Sequence, residues 1–534
     1  SDTEATNQAA QGVLDGSLWY NLSSGTIDLT NTNNSFSENS MISYALRANY
    51  TFDERYMLTA TVRWDGSSKF EPDQRWGCFP SVAVAWRASQ EKFLQNVKWL
   101  SNLKVRLSYG VTGNNTGVGN YATRTTVAGP VYYPFGSTYV NAFYPSSIVD
   151  RFLTWEESKE INFGIDFGFL KNRIFGSVDL YQKTSDDLLY SVELPLEAGT
   201  DSDGNPMKLN TNVGSVQNRG IEFAVTAIPV ITKDWRWDIS LNYARNINKV
   251  KEINGSGANL PNDNLFIGCS INNVYGYHWA GIVTDRDMIV PNTEIAVAKG
   301  LTPGSTMKEY DYYNICYGLQ EGNPIIEDVN GDGTIDDKDK KVYRSDPSWT
   351  GSLTTSLSYK NWDLSASLYT KQNYKVYSDF YAQYLDYKDR GWMHLNVDYY
   401  IPAGTLIDCD GINPDGTYIN PVYQQTTHYG AYPFPNDGNT AGLNGTHAFN
   451  RDGSQCQAIT DASFVKVKNI TLGYTFPKKW INKIGISHLR LYCTVTNPFV
   501  WTDYKGFDPE WAGGGAENDG PSTVTWEFGA SLKF

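Results

Sequence analysis

The sequence predicts an all-β protein: an antiparallel transmembrane β-barrel seen in part, with about thirteen strands and long extracellular loops. Three observations predict it. Apolar and polar residues alternate with period two in segment after segment, the pattern of a strand with one oily and one wet face. The connections between these segments alternate between short and long, as in an outer-membrane barrel with tight periplasmic turns and large external loops. The last segment, TVTWEFGASLKF, closes on Phe534. A terminal aromatic is a common feature of a barrel's closing strand, and a soluble sheet edge has no special reason for one.

Residues 41–51 put Ile42, Tyr44, Leu46 and Ala48 on one face, and 55–65 put Tyr56, Leu58, Ala60, Val62 and Trp64 on one face, with only FDE between them. So short a link pairs the two strands antiparallel. The alternation returns at 80–87 (Val82, Val84, Trp86), 103–110 (Leu103, Val105, Leu107, Tyr109) and 159–169 (Ile161, Phe163, Ile165, Phe167, Phe169). It recurs at 174–183, 219–229, 235–244, 350–359, 362–371, 463–475 and 488–497, and in the final strand. Most of these are near the roughly ten residues a tilted strand needs to cross a bilayer. The compact links are FDE, 88–102, LKNR, VITKD, KN at 360–361 and FPKKWINKIGIS; the long ones are 66–79, 111–158, 184–217, 246–348, 372–462 and 498–522. A propeller or solenoid would repeat one loop length, and no fixed period is present. Phe52, Tyr56, Trp235, Trp362, Phe476 and Trp480 gather on the compact side, where a membrane-interface girdle belongs.

Composition excludes several other classes. At 534 residues the chain exceeds one ordinary domain unless it forms a large barrel, propeller or solenoid. Aromatic residues make up 14 %, Tyr foremost; such rings, oily on the face and polar at the tip, suit interface belts and sugar-binding surfaces alike. Mean hydropathy is negative and no apolar run reaches the length of a transmembrane helix. A barrel is untouched by that, because only every second residue faces lipid. Acidic residues exceed basic ones by 58 to 44, a net charge of −14, so no nucleic-acid partner is expected. Six cysteines contain no CxxC pair, and zinc is not expected. Cys409 with Cys456, and Cys269 with Cys316, each share a long loop; a stapling disulfide and free thiols both fit. The five histidines lack metal or catalytic spacing, and GxSxG, P-loop and HExxH are absent from the sequence. No enzyme activity is expected.

The opening SDTEATNQAAQG has neither the basic nor the apolar region of a signal peptide, which predicts a mature product or a fragment. With Phe534 on the periplasmic side, counting back through thirteen strands makes residues 1–40 an extracellular loop segment. Single-chain bacterial barrels have an even strand number. Residues 41–534 are therefore expected to be the C-terminal part of a larger barrel.

One motif carries chemistry. DVNGDGTIDDKD, residues 328–339, has the spacing of an EF-hand-type calcium loop: Asp328, Asn330 and Asp332 at positions 1, 3 and 5, Gly333 at the sharp turn, and Thr334 offering its carbonyl at 7. Asp336 stands at 9 and Asp339 at 12. A hard cation needs oxygens converging from one short loop, and these spacings supply them. Asp in place of the usual Glu at position 12 predicts a structural calcium site rather than a switch. The plainer reading is a solvated Asp/Gly turn before the strand at 350. A second stretch, 372–400, intersperses tyrosines and Trp392 with aspartates. Tyr381, Tyr384, Trp392 and Tyr399 make a possible glycan platform, their ring faces stacking on sugar C–H groups while carboxylates take up hydroxyls. Packing against neighbouring loops or a partner is the plainer reading, because interfaces are equally rich in such rings.

Several stretches resemble the SusC-like (RagA-like) TonB-dependent outer-membrane transporters of Gram-negative bacteria. They are RYMLTATVRWDGSSKF, FPSVAVAWR, LKVRLSYGVTGNN, LTWEESKEINFGIDFGFLKNRIFGSVDLYQKTSDDLLY, NVGSVQNRGIEF and YKGFDPE, in family order across 41–534. The resemblance implies a barrel of about 22 strands with a plugged lumen, of which the strand at 41–51 would be the tenth. The plug, the TonB-contacting segment and the earlier strands would precede Ser1. It further implies TonB-dependent import of a large nutrient, an oligosaccharide or a peptide, driven by the inner-membrane proton gradient. A SusD-like surface lipoprotein would lid the barrel, in a two-plus-two assembly embedded in membrane lipid. Two rivals are a passive porin or surface glycan-binding receptor, without plug or TonB segment, and a secreted β-rich glycan-binding protein, soluble without detergent.

Overall fold

The computed structural model of the chain describes residues 2–7, 10–11, 26–27, 33–145, 147–200, 204–378, 398–433, 458–482, 485–504, 506–512 and 522–534. Thirteen strands form one sheet, each hydrogen-bonded to the next along the chain. They are β1 (Met41–Phe52), β2 (Tyr56–Ser67), β3 (Trp76–Trp86), β4 (Leu100–Asn114), β5 (Glu156–Phe169), β6 (Ile174–Glu193) and β7 (Lys208–Ile231). After these come β8 (Trp235–Glu252), β9 (Trp349–Tyr359), β10 (Trp362–Gln372), β11 (Phe464–Thr475), β12 (His488–Thr502) and β13 (Thr525–Lys533). Every predicted alternating segment falls on one of them.

Two compact units divide the chain, residues 1–221 with 247–259 and residues 222–246 with 260–534. In the first, antiparallel register aligns Tyr50, Leu58, Val84, Leu107, Phe163 and Leu180 in one cross-strand row, all exposed. The neighbouring row, on the opposite face, reads Asn49, Thr59, Ala83, Ser108, Asn162 and Tyr181. In the second unit, Trp237, Leu357, Leu364, Leu472, Cys493 and Phe528 line up. Opposite them stand Asp238, Ser356, Ser365, Thr471, Thr494 and Glu527. Large apolar side chains left uncovered in unbroken rows suit hydrocarbon, not water.

Rings mark both edges of that band. On the compact-turn side Phe52 meets Tyr56, Trp99 meets Phe169, Trp235 meets Tyr359 at 4.1 Å, and Trp362 meets Tyr474 at 4.7 Å. On the other side Tyr44 stacks on Trp76 and Tyr243 approaches Trp349. Trp235 and Tyr243 are separated by roughly 26 Å of strand at about 3.3 Å per residue, close to the height of a barrel's apolar band.

The strands run further than the alternation predicts, furthest at the long-loop ends: β6 continues to Glu193, β7 begins at Lys208 and β8 continues to Glu252. Beyond the lipid neither face is required to be apolar, so the pattern lapses while the hydrogen-bonded ladder continues. The long links also carry structure of their own. Val127–Phe135 pairs with Thr138–Pro145 as a hairpin. The described residues of the segment 1–40 lie outside the thirteen-stranded sheet, Asp2–Asn7 pairing with Asn33–Glu38 and Ala10–Gln11 with Thr26–Ile27.

The link between β8 and β9 is a small folded insertion rather than a simple loop. Asn273–Tyr277 pairs with Lys340–Arg344, Trp279–Ile282 with Pro324–Ile326, and Asp287–Ile289 with Thr306–Lys308. Two short helices, α1 (Glu294–Ala298) and α2 (Glu309–Tyr317), complete it. Thr293 caps α1 through Ala296 N–H, and Gly318 ends α2 in the left-handed conformation. One core gathers Tyr277, Val283, Leu319, Ile325, Ile326 and Ile335; the other gathers Val290, Ile295, Ala296, Tyr312 and Cys316. Cys269 and Cys316 are both free thiols, so no disulfide joins them.

Candidate functional site

The acidic loop 328–339 sits between the strands Pro324–Ile326 and Lys340–Arg344 of the insertion. Its middle is tethered by Ile335, buried in the first core. Its carboxylates brace backbone, save that of Asp337, which pairs with Lys340 at 2.8 Å. Asp328 accepts from the N–H groups of Gly331 at 2.6 Å and Gly333 at 2.8 Å. Asn330 accepts from Asp332 N–H and donates to its carboxylate, both at 2.9 Å, and Asp332 accepts from Thr334 N–H at 2.8 Å. Asp336 caps the turn Asp337–Asp339, and the Lys338 N–H holds its carboxyl below the ordinary range. Asp339 is 0 % exposed and accepts from Val329 and Asp336, each at 2.8 Å.

The structure thus brings all six sequence-predicted residues into one turn-rich loop. Among the described residues, no three Asp, Glu, His or Cys side chains gather tightly enough to cage an ion by themselves. An ionised carboxylate has about four lone-pair sites, so oxygens already holding N–H groups keep capacity for a cation. The donor set is all oxygen, the chemistry calcium requires.

Tyr381, Tyr384 and Trp392 lie outside the described residues. Tyr399 is inside them: its ring is buried with Tyr374, Val376, Ala458, Ala462 and Tyr504, and is edge-on to Tyr432. Sequence reasoning overlooked its neighbour. Tyr400 is 1 % exposed; its hydroxyl donates to Glu321 at 2.7 Å and accepts from Asp285 N–H at 3.2 Å. The Asp285 carboxylate takes the hydroxyls of Thr427 and Tyr429, and the Arg286 guanidinium lies 4.3 Å above the Tyr429 ring. The Tyr429 hydroxyl bond holds the Asp285 carboxyl low, while burial and Glu321 push the Tyr400 phenol up. Residues 398–432 are thereby locked onto the insertion.

A second overlooked group ties the last long loop to the wet face of β11. Lys466, 1 % exposed, donates to Asp508 at 2.6 Å and Glu510 at 3.0 Å, and Lys468 donates to Glu510 at 2.7 Å. The available signal was YKGFDPE, which supplies both acids. Along the same face Arg490 forks onto Asp363 at 3.0 and 2.5 Å. Gly473 makes room for that pair: a Cβ there would stand 2.5 Å from the guanidinium.

A family described as TonB dependent receptor-like, β-barrel, matches residues 2–498. The TonB-dependent receptor SusC of Bacteroides thetaiotaomicron is 34 % identical over 93 % of this chain and 44 % of its own length. The TonB-dependent receptor P39 of Formosa agariphila is 30 % identical over 92 % of the chain and 44 % of its own length. Among solved structures, the RagAB peptide transporter superposes with a TM-score of 0.67 at 23 % identity, covering 96 % of this chain and 50 % of that one; this is a likeness of fold. The chain spans about half the length of these proteins. A wall of consecutive antiparallel strands with an apolar outer row, and a match along nearly all of it, lead to one conclusion: the chain belongs to the TonB-dependent receptor-like β-barrel family of Gram-negative outer membranes.

Proposed function

We propose that this chain supplies the C-terminal wall and external loops of an importer that carries a large nutrient, a glycan or a peptide, across the outer membrane at the expense of TonB-transmitted energy. The observation that carries the reading is the 34 % identity with SusC along 93 % of the chain. RagAB, which shares the fold, is a peptide transporter. The preceding part of the protein contributes the plug, the TonB-contacting segment and the earlier strands, and a SusD-like surface lipoprotein covers the external face in a two-plus-two assembly. No covalent chemistry is needed; the wall contributes shape and a polar lining such as Ser356, Ser365, Thr471 and Thr494. The test is nutrient uptake by cells carrying the whole protein, with and without an intact inner-membrane proton gradient. Uptake that collapses with the gradient is expected; uptake that persists would establish a passive porin instead.

We further infer that calcium binds the loop 328–339 and braces the insertion. Asp328, Asp332 and Asp336, with Asn330, the Thr334 carbonyl and Asp339, are the ligands. In support, the loop has an all-oxygen donor set and is anchored at Ile335 and Asp339. Calorimetry on the whole transporter should show calcium uptake that the Asp328→Ala, Asp332→Ala double variant loses. Unchanged uptake in that variant would overturn the assignment.

A further inference from the structure

The last long link turns back inside the wall. Lys466 and Lys468 stand two and four residues in from Phe464, the external end of β11, about 7 and 13 Å along the strand at about 3.3 Å per residue. Both side chains meet acids of that link: Lys466 donates to Asp508 and Glu510, and Lys468 donates to Glu510. A lysine on the wet face of a wall would ordinarily keep its ammonium in water, yet that of Lys466 is 1 % exposed. A buried pair of this kind adds little to stability, and its best-attested use is to fix one segment in register against another.

The segment is held at further points. The Tyr374 hydroxyl donates to the Pro509 carbonyl at 3.1 Å, and the hydroxyls of Ser378 and Tyr504 meet at 2.7 Å. Ala512 packs on the core that holds Tyr374, Val376, Tyr399, Ala458, Ala462 and Tyr504. The Asp508 carboxylate accepts from Glu510 N–H at 2.9 Å and its carbonyl from Trp511 N–H at 3.1 Å, which closes a turn. Asp508 and Pro509, on the anchored side of this turn, are buried. Phe507 and Trp511 remain 43 % and 47 % exposed. These two rings stand on the wet side of the wall, so no lipid covers them. A layer of chain packed on the face of a sheet takes up about 10 Å of depth.

We propose that residues 506–512 form a fixed sill just inside the external mouth, and that Phe507 and Trp511 set the largest cargo that passes it. The ion pairs, the tyrosine hydroxyl bonds and the Ala512 contact keep the segment from swinging aside, so it excludes by bulk. A limit of this kind acts on width alone and is the same for a glycan and a peptide. It rests on the import reading above and adds a size restriction to it.

The test uses the whole transporter in intact cells. Ser367→Cys places a thiol on the wet face of β10, two residues deeper than Tyr369, the cross-strand partner of Lys466. Maleimide-tipped polyethylene glycols of graded mass are added from outside, and labelling at position 367 is read by peptide mass mapping. A size limit is expected, and it should shift to larger polymers in Phe507→Ala and in Trp511→Ala, which shave the rings and keep every anchor. The double variant Asp508→Asn, Glu510→Gln, which releases the segment, should shift the limit at least as far. Heat-modifiable migration shows which variants are folded, and the two ring variants decide the matter if the released one is not. A limit that neither ring variant moves overturns the proposal. Nutrient uptake with and without the proton gradient is measured in parallel. Gradient-driven uptake with an unmoved limit discards the sill and keeps the importer; a shifted limit with uptake independent of the gradient keeps the sill and discards the importer.

Discussion

Lys466 shows what a single buried charge does in this wall. Its ammonium is almost wholly removed from solvent and is satisfied by Asp508 and Glu510. Truncating one partner of such a pair leaves an uncompensated buried charge, which costs about 3–5 kcal/mol. Lys466→Met should therefore free the segment 503–512 from the wall, seen as new protease cleavage there while the barrel remains folded. Burial raises the Asp508 and Glu510 carboxyls, and the lysines more than offset it, so both sit below the ordinary carboxylate range. A depressed folded-state value means the contribution is whole above the unfolded value and is lost as pH falls through the folded one. Cleavage of this segment should accordingly rise below about pH 4, and Lys466→Met should remove most of that pH dependence.

At the scale of the element, the acidic loop and the strands depend on different constraints. Gly333 has φ +82° and a Cβ there would stand 2.6 Å from Ile295 Cδ1. Gly331 has φ +74° with open space around it. Gly331→Ala carries only the backbone term, about 1 kcal/mol, whereas Gly333→Ala adds a collision with a core side chain. Calcium affinity, measured by calorimetry, should fall more in Gly333→Ala than in Gly331→Ala; equal losses would mean that Ile295 yields freely. For the strands, period two decides everything. Phe528 on β13 is 78 % exposed in the outward row, and Phe528→Arg should cost about 2–4 kcal/mol if it lies at mid-bilayer. Glu527→Arg, one residue away on the wet face, should cost less. The folded fraction after extraction, read by heat-modifiable migration, distinguishes the two.

At the scale of the molecule, Tyr400 joins two segments that are far apart in sequence, 253–348 and 398–433, into one external body. Tyr400→Phe leaves the Glu321 carboxylate and the Asp285 N–H short of a partner, a cost of about 1–3 kcal/mol. Hydrogen exchange should then quicken at 284–286 and 398–401 together; a change in one segment alone would mean the two are not coupled. The sequence by itself determined the wall. Thirteen strands, their faces, the compact turns and the aromatic girdle could be read off because lipid imposes period two on every crossing. The spacing of 328–339 was legible for a similar reason, since its oxygens come from one short stretch. The folded insertion, the Tyr400 lock and the Lys466 clamp were decided by tertiary structure. Their residues lie far apart in the chain, and only the fold sets Asp285 beside Tyr400 or Asp508 against Lys466. A pattern imposed by solvent on each residue in turn is written locally, whereas a contact between distant segments exists only once the wall has brought their ends together.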